Sequence, residues 1–204
     1  MKNPFKKASA PPLSEAEQAL KSWGIKYKKQ PDGSILILGN LDLSNKGLTK
    51  LPDLSSVTVG GNFYCHDNQL TSLEGAPATV GGDFSCSDNQ LTSLEHAPQS
   101  VTGSFSCHNN QLTSLEHAPQ SVSGGFYCSS NQLTSLEHAP QIFMKLKSDF
   151  GEYSNWEQVP ENLRVSPETK ARLEQEQIAA ATVLQAPIKV SAPLKLRSKA
   201  PSLS

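Results

Sequence analysis

The middle of this sequence is short of basic residues. Residues 31–140 contain only Lys46 and Lys50 as basic side chains, against ten Asp and Glu. A surface that grips phosphate needs clustered Lys and Arg, so no nucleic-acid partner is expected here. Basic residues gather instead at the ends, with seven Lys in residues 1–30 and Lys189, Lys195, Arg197 and Lys199 in residues 178–204, where there is no acid. They read as solvated tails. Long apolar runs are missing too: none approaches the ~20 residues a membrane span requires, and the basic start MKNPFKKASAPP leads into no apolar stretch of the secretory kind. The expectation is a soluble chain without a membrane partner, cytoplasmic or exported without a cleavable Sec-type signal. Cysteine is scarce, four in 204 residues, and all four belong to one pattern.

That pattern is a phrase written four times: CHDNQLTSLEGAP from Cys65, CSDNQLTSLEHAP from Cys86, CHNNQLTSLEHAP from Cys107 and CSSNQLTSLEHAP from Cys128, always 21 residues apart. A fixed period of this size marks stacked units, each too small to fold alone. A degenerate first copy, LDLSNKGLTKLP, precedes them. Aligned on apolar positions, Leu41, Phe63, Phe84, Phe105 and Phe126 form one column, and Leu43, Cys65, Cys86, Cys107 and Cys128 the next. A spacing of two points both side chains of each pair inward from a short strand. Two Leu columns follow, Leu48, Leu70, Leu91, Leu112, Leu133 and Leu51, Leu73, Leu94, Leu115, Leu136, turning back over the core. Pro77, Pro98, Pro119 and Pro140 then hold a return segment extended. A small pair before each Phe, such as Gly81-Gly82, predicts a tight corner.

Phe-x-Cys-x-x-Asn-x-Leu-x-x-Leu resembles the leucine-rich repeat, and the NQLTSL wording is similar to short repeats of bacterial and bacteriophage proteins. The resemblance covers residues 41–146. It implies a mainly β, α/β-type solenoid, a right-handed coil of about five repeats whose parallel strands line a concave face. The pattern departs from the bacterial effector type at Glu74, Glu95, Glu116 and Glu137, where that type has Pro. Effectors that join such repeats to a ubiquitin ligase need a later nucleophilic Cys, and none follows Cys128.

The flanks complete the plan. Residues 1–13 read as a disordered basic arm. Ser14 with Glu17 has capping-box spacing and opens a helix, and IKYKK and SILIL around Pro31 and Gly33 read as a hairpin. Together, over 14–40, they form an N-terminal cap of the kind a solenoid needs against an open end. After the solenoid at 41–146, Ile142, Phe143, Met144 and Leu146 are expected to close the core. Residues 147–165 read as a C-terminal cap carrying Trp156. Ser166-Pro167-Glu168 starts a helix over 166–184, and 185–204 reads as a disordered basic Ala-Pro tail.

Cys65, Cys86, Cys107 and Cys128 read as structural. Stacked strands set them about 4.8 Å apart in a line of about 14 Å, whereas zinc needs all sulfurs about 2.3 Å from one centre. Neither a metal nor any cofactor is expected. Neighbouring Cys are near enough for a disulfide, but a reducing compartment keeps thiols free. Asn68, Asn89, Asn110 and Asn131 are likewise structural, their amides answering backbone groups that the turn leaves unpaired. His96, His117 and His138, each after a Glu, form a ladder away from the strand face. Titration near neutrality would suit them to metal binding or pH sensing, but retention after duplication is the plainer account.

The outward strand residues, together with the residue after each strand, are the candidate partner site: Asn62, Tyr64, His66 and Asp67; Asp83, Ser85, Ser87 and Asp88; Ser104, Ser106, His108 and Asn109; Gly125, Tyr127, Ser129 and Ser130. Within it we single out Tyr64, His66, Asp67, Asp83, Ser85, Asp88, Ser106, His108, Asn109 and Tyr127. The set varies between copies while the core wording around it hardly does. Aromatic side chains anchor interfaces, and the acids favour a basic partner. No spacing sets one base beside one nucleophile, and the Gly pairs precede strands rather than helices, unlike a phosphate loop. The expectation is a non-enzymatic module binding another protein. The alternative is an assembly component of a bacteriophage or bacterial particle, docking through its terminal segments.

Overall fold

A computed structural model of the chain describes residues 14–184, with side chains up to Glu176. The arm expected at 1–13 and the tail expected at 185–204 lie outside the described residues. Helix α1 (Glu15–Ser22) opens as its sequence requires. Ser14 Oγ accepts from the Glu17 amide at 3.2 Å, and Glu17 Oε2 accepts from the Ser14 amide at 3.0 Å. That amide, and then Lys29 at 3.2 Å, hold the Glu17 carboxyl below the usual carboxylate range. Ala16 and Leu20 are buried. A hairpin follows, β1 (Lys28–Lys29) antiparallel to β2 (Ile35–Ile37), then β3 (Leu41–Asp42).

Each subsequent coil supplies two short strands rather than the single one expected. They are β4 (Val57–Val59) and β5 (Phe63–Tyr64), β6 (Thr79–Val80) and β7 (Phe84–Ser85), β8 (Ser100–Val101) and β9 (Phe105–Ser106), then β10 (Ser121–Val122) and β11 (Gly125–Tyr127). The chain goes on to β12 (Lys145–Ser148), β13 (Gly151–Tyr153), two 3-10 turns (Trp156–Gln158, Glu161–Leu163) and α2 (Pro167–Leu184). The result is a parallel β-solenoid of about five turns. One sheet has seven strands in the order β13-β12-β11-β9-β7-β5-β3, all parallel except the β12–β13 pair. The second runs β1-β2-β4-β6, and β8 and β10 pair in the same manner. The Val residues explain it. Val57, Val59, Val80, Val101 and Val122 are all buried, and a β-branched side chain on a half-buried segment makes a strand where the segment was expected only to be extended.

The core fills the space between the sheets. Phe63, Phe84, Phe105 and Phe126 stack with ring centroids 5.2, 5.2 and 5.7 Å apart. The four Cys, with Leu70, Leu73, Leu91, Leu94, Leu112, Leu115 and Leu136, are buried behind them. Each of these Phe and Leu side chains contributes roughly 1.5–3 kcal/mol on burial.

At the far end the expectation fails in part. Leu146 is buried and Phe143 packs on the core, but Ile142 is 68% and Met144 74% exposed. Ile142 pairs with Ser121, an outward position, and so cannot point in. Val159 and Trp156 pack on the core instead, and the Leu163 carbonyl accepts from the Leu136 amide at 2.6 Å. The described chain divides into two compact units, one ending at Pro167 and the other beginning at Glu168. The second is helical to Leu184 and carries an Arg172–Glu176 pair at 3.8 Å.

Candidate functional site

Register decides which residues reach the surface of the seven-stranded sheet. Leu41, Phe63, Phe84, Phe105, Phe126 and Leu146 align inward, so Asp42, Tyr64, Ser85, Ser106, Tyr127 and Lys147 align outward. His66 and His108 follow two residues after the Tyr64 and Ser106 positions. Next comes a turn in which Asn45, Asp67, Asp88, Asn109 and Ser130 all adopt left-handed backbone, φ +50 to +57°. Asn and Asp tolerate that conformation better than other residues with a Cβ. Asp67, Asp88 and Asn109 therefore answer a backbone demand as well as facing solvent.

Side chains on this surface are mutually engaged. The Tyr64 hydroxyl accepts from Asn62 Nδ2, the Tyr64 and His66 rings meet edge to face at 5.9 Å, and His66 Nδ1 lies 2.8 Å from Asp67 Oδ2. In the middle, Ser85 and Ser87 hydroxyls are 3.1 Å apart. Ser106 Oγ lies 2.8 Å from His108 Nδ1, His108 Nε2 lies 3.4 Å from Asp88 Oδ2, and Asn109 Nδ2 donates to Asp88 Oδ1. The Tyr127 ring lies back over Gly125, and Lys147 pairs with Glu152 at 3.5 Å. At the other end, the Ser44 hydroxyl and then its amide hold the Asp42 carboxyl below the usual range, helped by His66. Alternation applied to the degenerate first copy would have found Asp42. Lys147 was hidden because the last coil is one residue shorter.

Several expected surface residues serve the corner between the sheets instead. Asp83 Oδ1 accepts from the Ser104 amide at 2.7 Å, after Asn62 Oδ1 from Asp83 at 2.8 Å and before Ser104 Oγ from Gly125 at 3.1 Å. This is a ladder in which each coil's polar residue holds the next coil's backbone. It accounts for the Gly before it, because a Cβ on Gly82 would come within 2.0 Å of Asn62 Oδ1. Ser87, only 4% exposed, and Gly125 are buried beneath their neighbours.

The Asn column forms a second ladder. Oδ1 of Asn89, Asn110 and Asn131 accepts from the amides of Leu70, Leu91 and Leu112 at 2.9, 2.9 and 3.0 Å. Their Nδ2 groups donate to the carbonyls of Cys65, Cys86 and Cys107 in the preceding coil at 3.0, 3.0 and 3.1 Å. Asn68 does the same for Lys46 and Leu48. Among the described residues no buried side-chain polar atom lacks a partner.

The thiols are free and buried. Burial pushes Cys86 and Cys128 up to about 12 and Cys65 and Cys107 well above the ordinary range. Such thiols are poor nucleophiles and poor metal ligands. His96, His117 and His138 sit at φ +66 to +69°, with Nε2 4.0 Å from the preceding Glu. Gly75 holds the same place in the first full copy, so this column also follows a left-handed turn. No group of three or more metal-ligating side chains is present among the described residues.

One arrangement goes beyond what spacing suggested, since Ser106, His108 and Asp88 do set a base beside a hydroxyl. Acyl transfer also needs amides free to hold an oxyanion. The neighbouring amides of Cys107 and Asn109 are spent on Tyr127 and Ser129 carbonyls at 2.9 and 3.0 Å. The cluster is a preset array of donors and acceptors on the face that also carries Tyr64 and Tyr127.

The fold and this face define a repeat solenoid with a polar, partly aromatic sheet surface. No family model, curated protein or solved structure matches the chain. Among the described residues no helix is long and apolar enough to cross a membrane.

Proposed function

We propose that the chain is a non-enzymatic interaction module whose seven-stranded sheet face binds another protein through a basic surface of that partner. The observation that carries the reading is the contrast between copies. Core positions hold the same residues in the four full copies, whereas the outward line reads Tyr64, Ser85, Ser106, Tyr127 on a scaffold that fixes it. Asp42, Asp67 and Asp88 supply negative charge that speeds encounter with a basic partner, and Tyr64 and Tyr127 supply apolar area. The reading includes a right-handed leucine-rich coil, supported by the buried Leu pairs, and a capping role for α1 and its hairpin, supported by the burial of Ala16 and Leu20.

The test combines Tyr64→Ala, Asp67→Asn, Asp88→Asn and Tyr127→Ala. Asn keeps the left-handed turn and removes the charge. Partners captured by cross-linking from host extract are identified by mass spectrometry, and affinity is then measured against salt. Affinity lost in the variant and weakened by salt, with an unchanged circular-dichroism melt, is the expected result. Undiminished binding by the folded variant would sink the assignment of this face.

A further inference from the structure

The second sheet, β1-β2-β4-β6, and the β8–β10 pair in contact with β6 present a surface of another kind. Register aligns Leu36 with Thr58 and Thr58 with Thr79, then Ser100 with Ser121 and Ser121 with Ile142, all on the side opposite the buried Val residues. From Leu36 to Ile142 this line carries no charge, and Lys28, opposite Leu36 on β1, bounds it. Both ends are apolar. Leu38, two residues past Leu36, is 65% exposed, and Ile142 and Met144 are 68% and 74% exposed. Among the described residues the other exposed large apolar side chain is Leu173, at 43%.

We propose that this face docks a second copy of the chain, about a two-fold axis and with the two stacks running in opposite directions. Leu36 and Leu38 of one copy then meet Ile142 and Met144 of the other, at both ends of the contact. Charge argues for a copy as the occupant. A face of one sign, such as the acidic face of the other sheet, repels its own copy, whereas this neutral line meets its own copy without repulsion. Symmetry argues for the opposed direction. A two-fold contact joins residue i to j and j to i, and apolar ends that flank a neutral middle satisfy it. The Thr and Ser between them are small enough for two sheets to approach to about 10 Å. The line spans about 24 Å, so the contact is small and its affinity modest. This inference does not depend on the reading of the acidic face.

Sedimentation equilibrium of the full chain, from about 1 μM to 1 mM, tests it. The expected result is a monomer–dimer equilibrium within that range. Leu38→Glu alone and Met144→Lys alone should each weaken it about 10-fold or more. The double variant should recover most of the loss, because each Glu faces a Lys of the other copy. Both positions are exposed, and unchanged melts would show that the single variants fold. A chain monomeric throughout, or a dimer indifferent to both single changes, would overturn the proposal. So would association lost on removing residues 185–204 with the face intact, and a double variant no better than its weaker parent would overturn the opposed arrangement.

Discussion

The two sides of the strands in the seven-stranded sheet differ in what repetition does for them. On the inner side each Phe meets the Phe of the next coil at 5.2–5.7 Å, and each Asn holds an amide and a carbonyl of its neighbour. A change in one copy must suit the copies above and below, so the same residue recurs. On the outer side Tyr64, Ser85, Ser106 and Tyr127 have solvent on one face and no such obligation. Uniformity inside records a packing constraint, and variety outside records freedom that a partner can shape.

Adjacent residues allow that contrast to be broken directly. Phe105 is fully buried between two rings, whereas Ser106, the next residue, faces out. Phe105→Ala should cost about 3–5 kcal/mol in urea unfolding, from lost burial and the cavity left behind. Ser106→Ala should stay within about 0.5 kcal/mol. Equal costs would mean that the inner stack is not what holds the coils.

Asn110 and Asn109 make a second such pair. Asn110 loses four hydrogen bonds on truncation, to Leu91, Cys86, Cys107 and His108, and it is buried. Its Ala variant should lose about 2–4 kcal/mol, since the orphaned amide and carbonyls cannot all reach water. Asn109, at φ +53°, should accept Gly with a change of about 0.5 kcal/mol or less. An Asn110→Ala chain as stable as Asn109→Gly would remove the ladder from the account.

Burial of the Cys column predicts a pH dependence of known sign. Folding raises these thiols above their unfolded values, to about 12 for Cys86 and Cys128. The folded state therefore holds its thiol protons more tightly. The associated stability is complete below the ordinary thiol value near 9 and is lost as pH climbs from there towards 12. Urea midpoints should be flat in this respect up to about pH 8.5 and fall above it. Replacing Cys86 and Cys128 by Ala should flatten part of the alkaline slope, and a slope unchanged by that pair would assign it to other groups.

The repeat and its inward columns were legible because period and alternation are one-dimensional properties that a sequence displays. The capping box at Ser14 and the start of α2 at Pro167 were legible for the same reason, being contacts within a few residues. The second sheet was less so, as a single Val per coil at 80, 101 and 122 is a faint strand signal until neighbouring coils supply the pairing. At the candidate face, alternation placed Tyr64, Ser85, Ser106 and Tyr127 outward. It could not show that neighbours cover Ser87 and Gly125, or that Asp83 is occupied by the next coil's backbone. Nor could it show that Asp88 reaches His108 across a coil, because that meeting depends on the stacking and not on the spacing.

The two His columns give the smallest effect and the sharpest form of the contrast. His117 stands at φ +66° in a turn where the first full copy has Gly75 at +83°. A Cβ at that Gly would come 2.6 Å from the Pro52 carbonyl, which explains why the first copy has no His there. If the column only fills a left-handed turn, His117→Gly should change stability by about 0.5 kcal/mol or less, and His117→Val should cost about 1–2 kcal/mol, since a β-branched residue is strained in that conformation. Neither change should alter capture of a partner. His108→Ala, by contrast, removes a group tied to Ser106 and Asp88 on the proposed binding face and should weaken capture with little effect on the melt. Capture lost with His117→Gly and kept with His108→Ala would move the binding surface from the sheet to the turn edge.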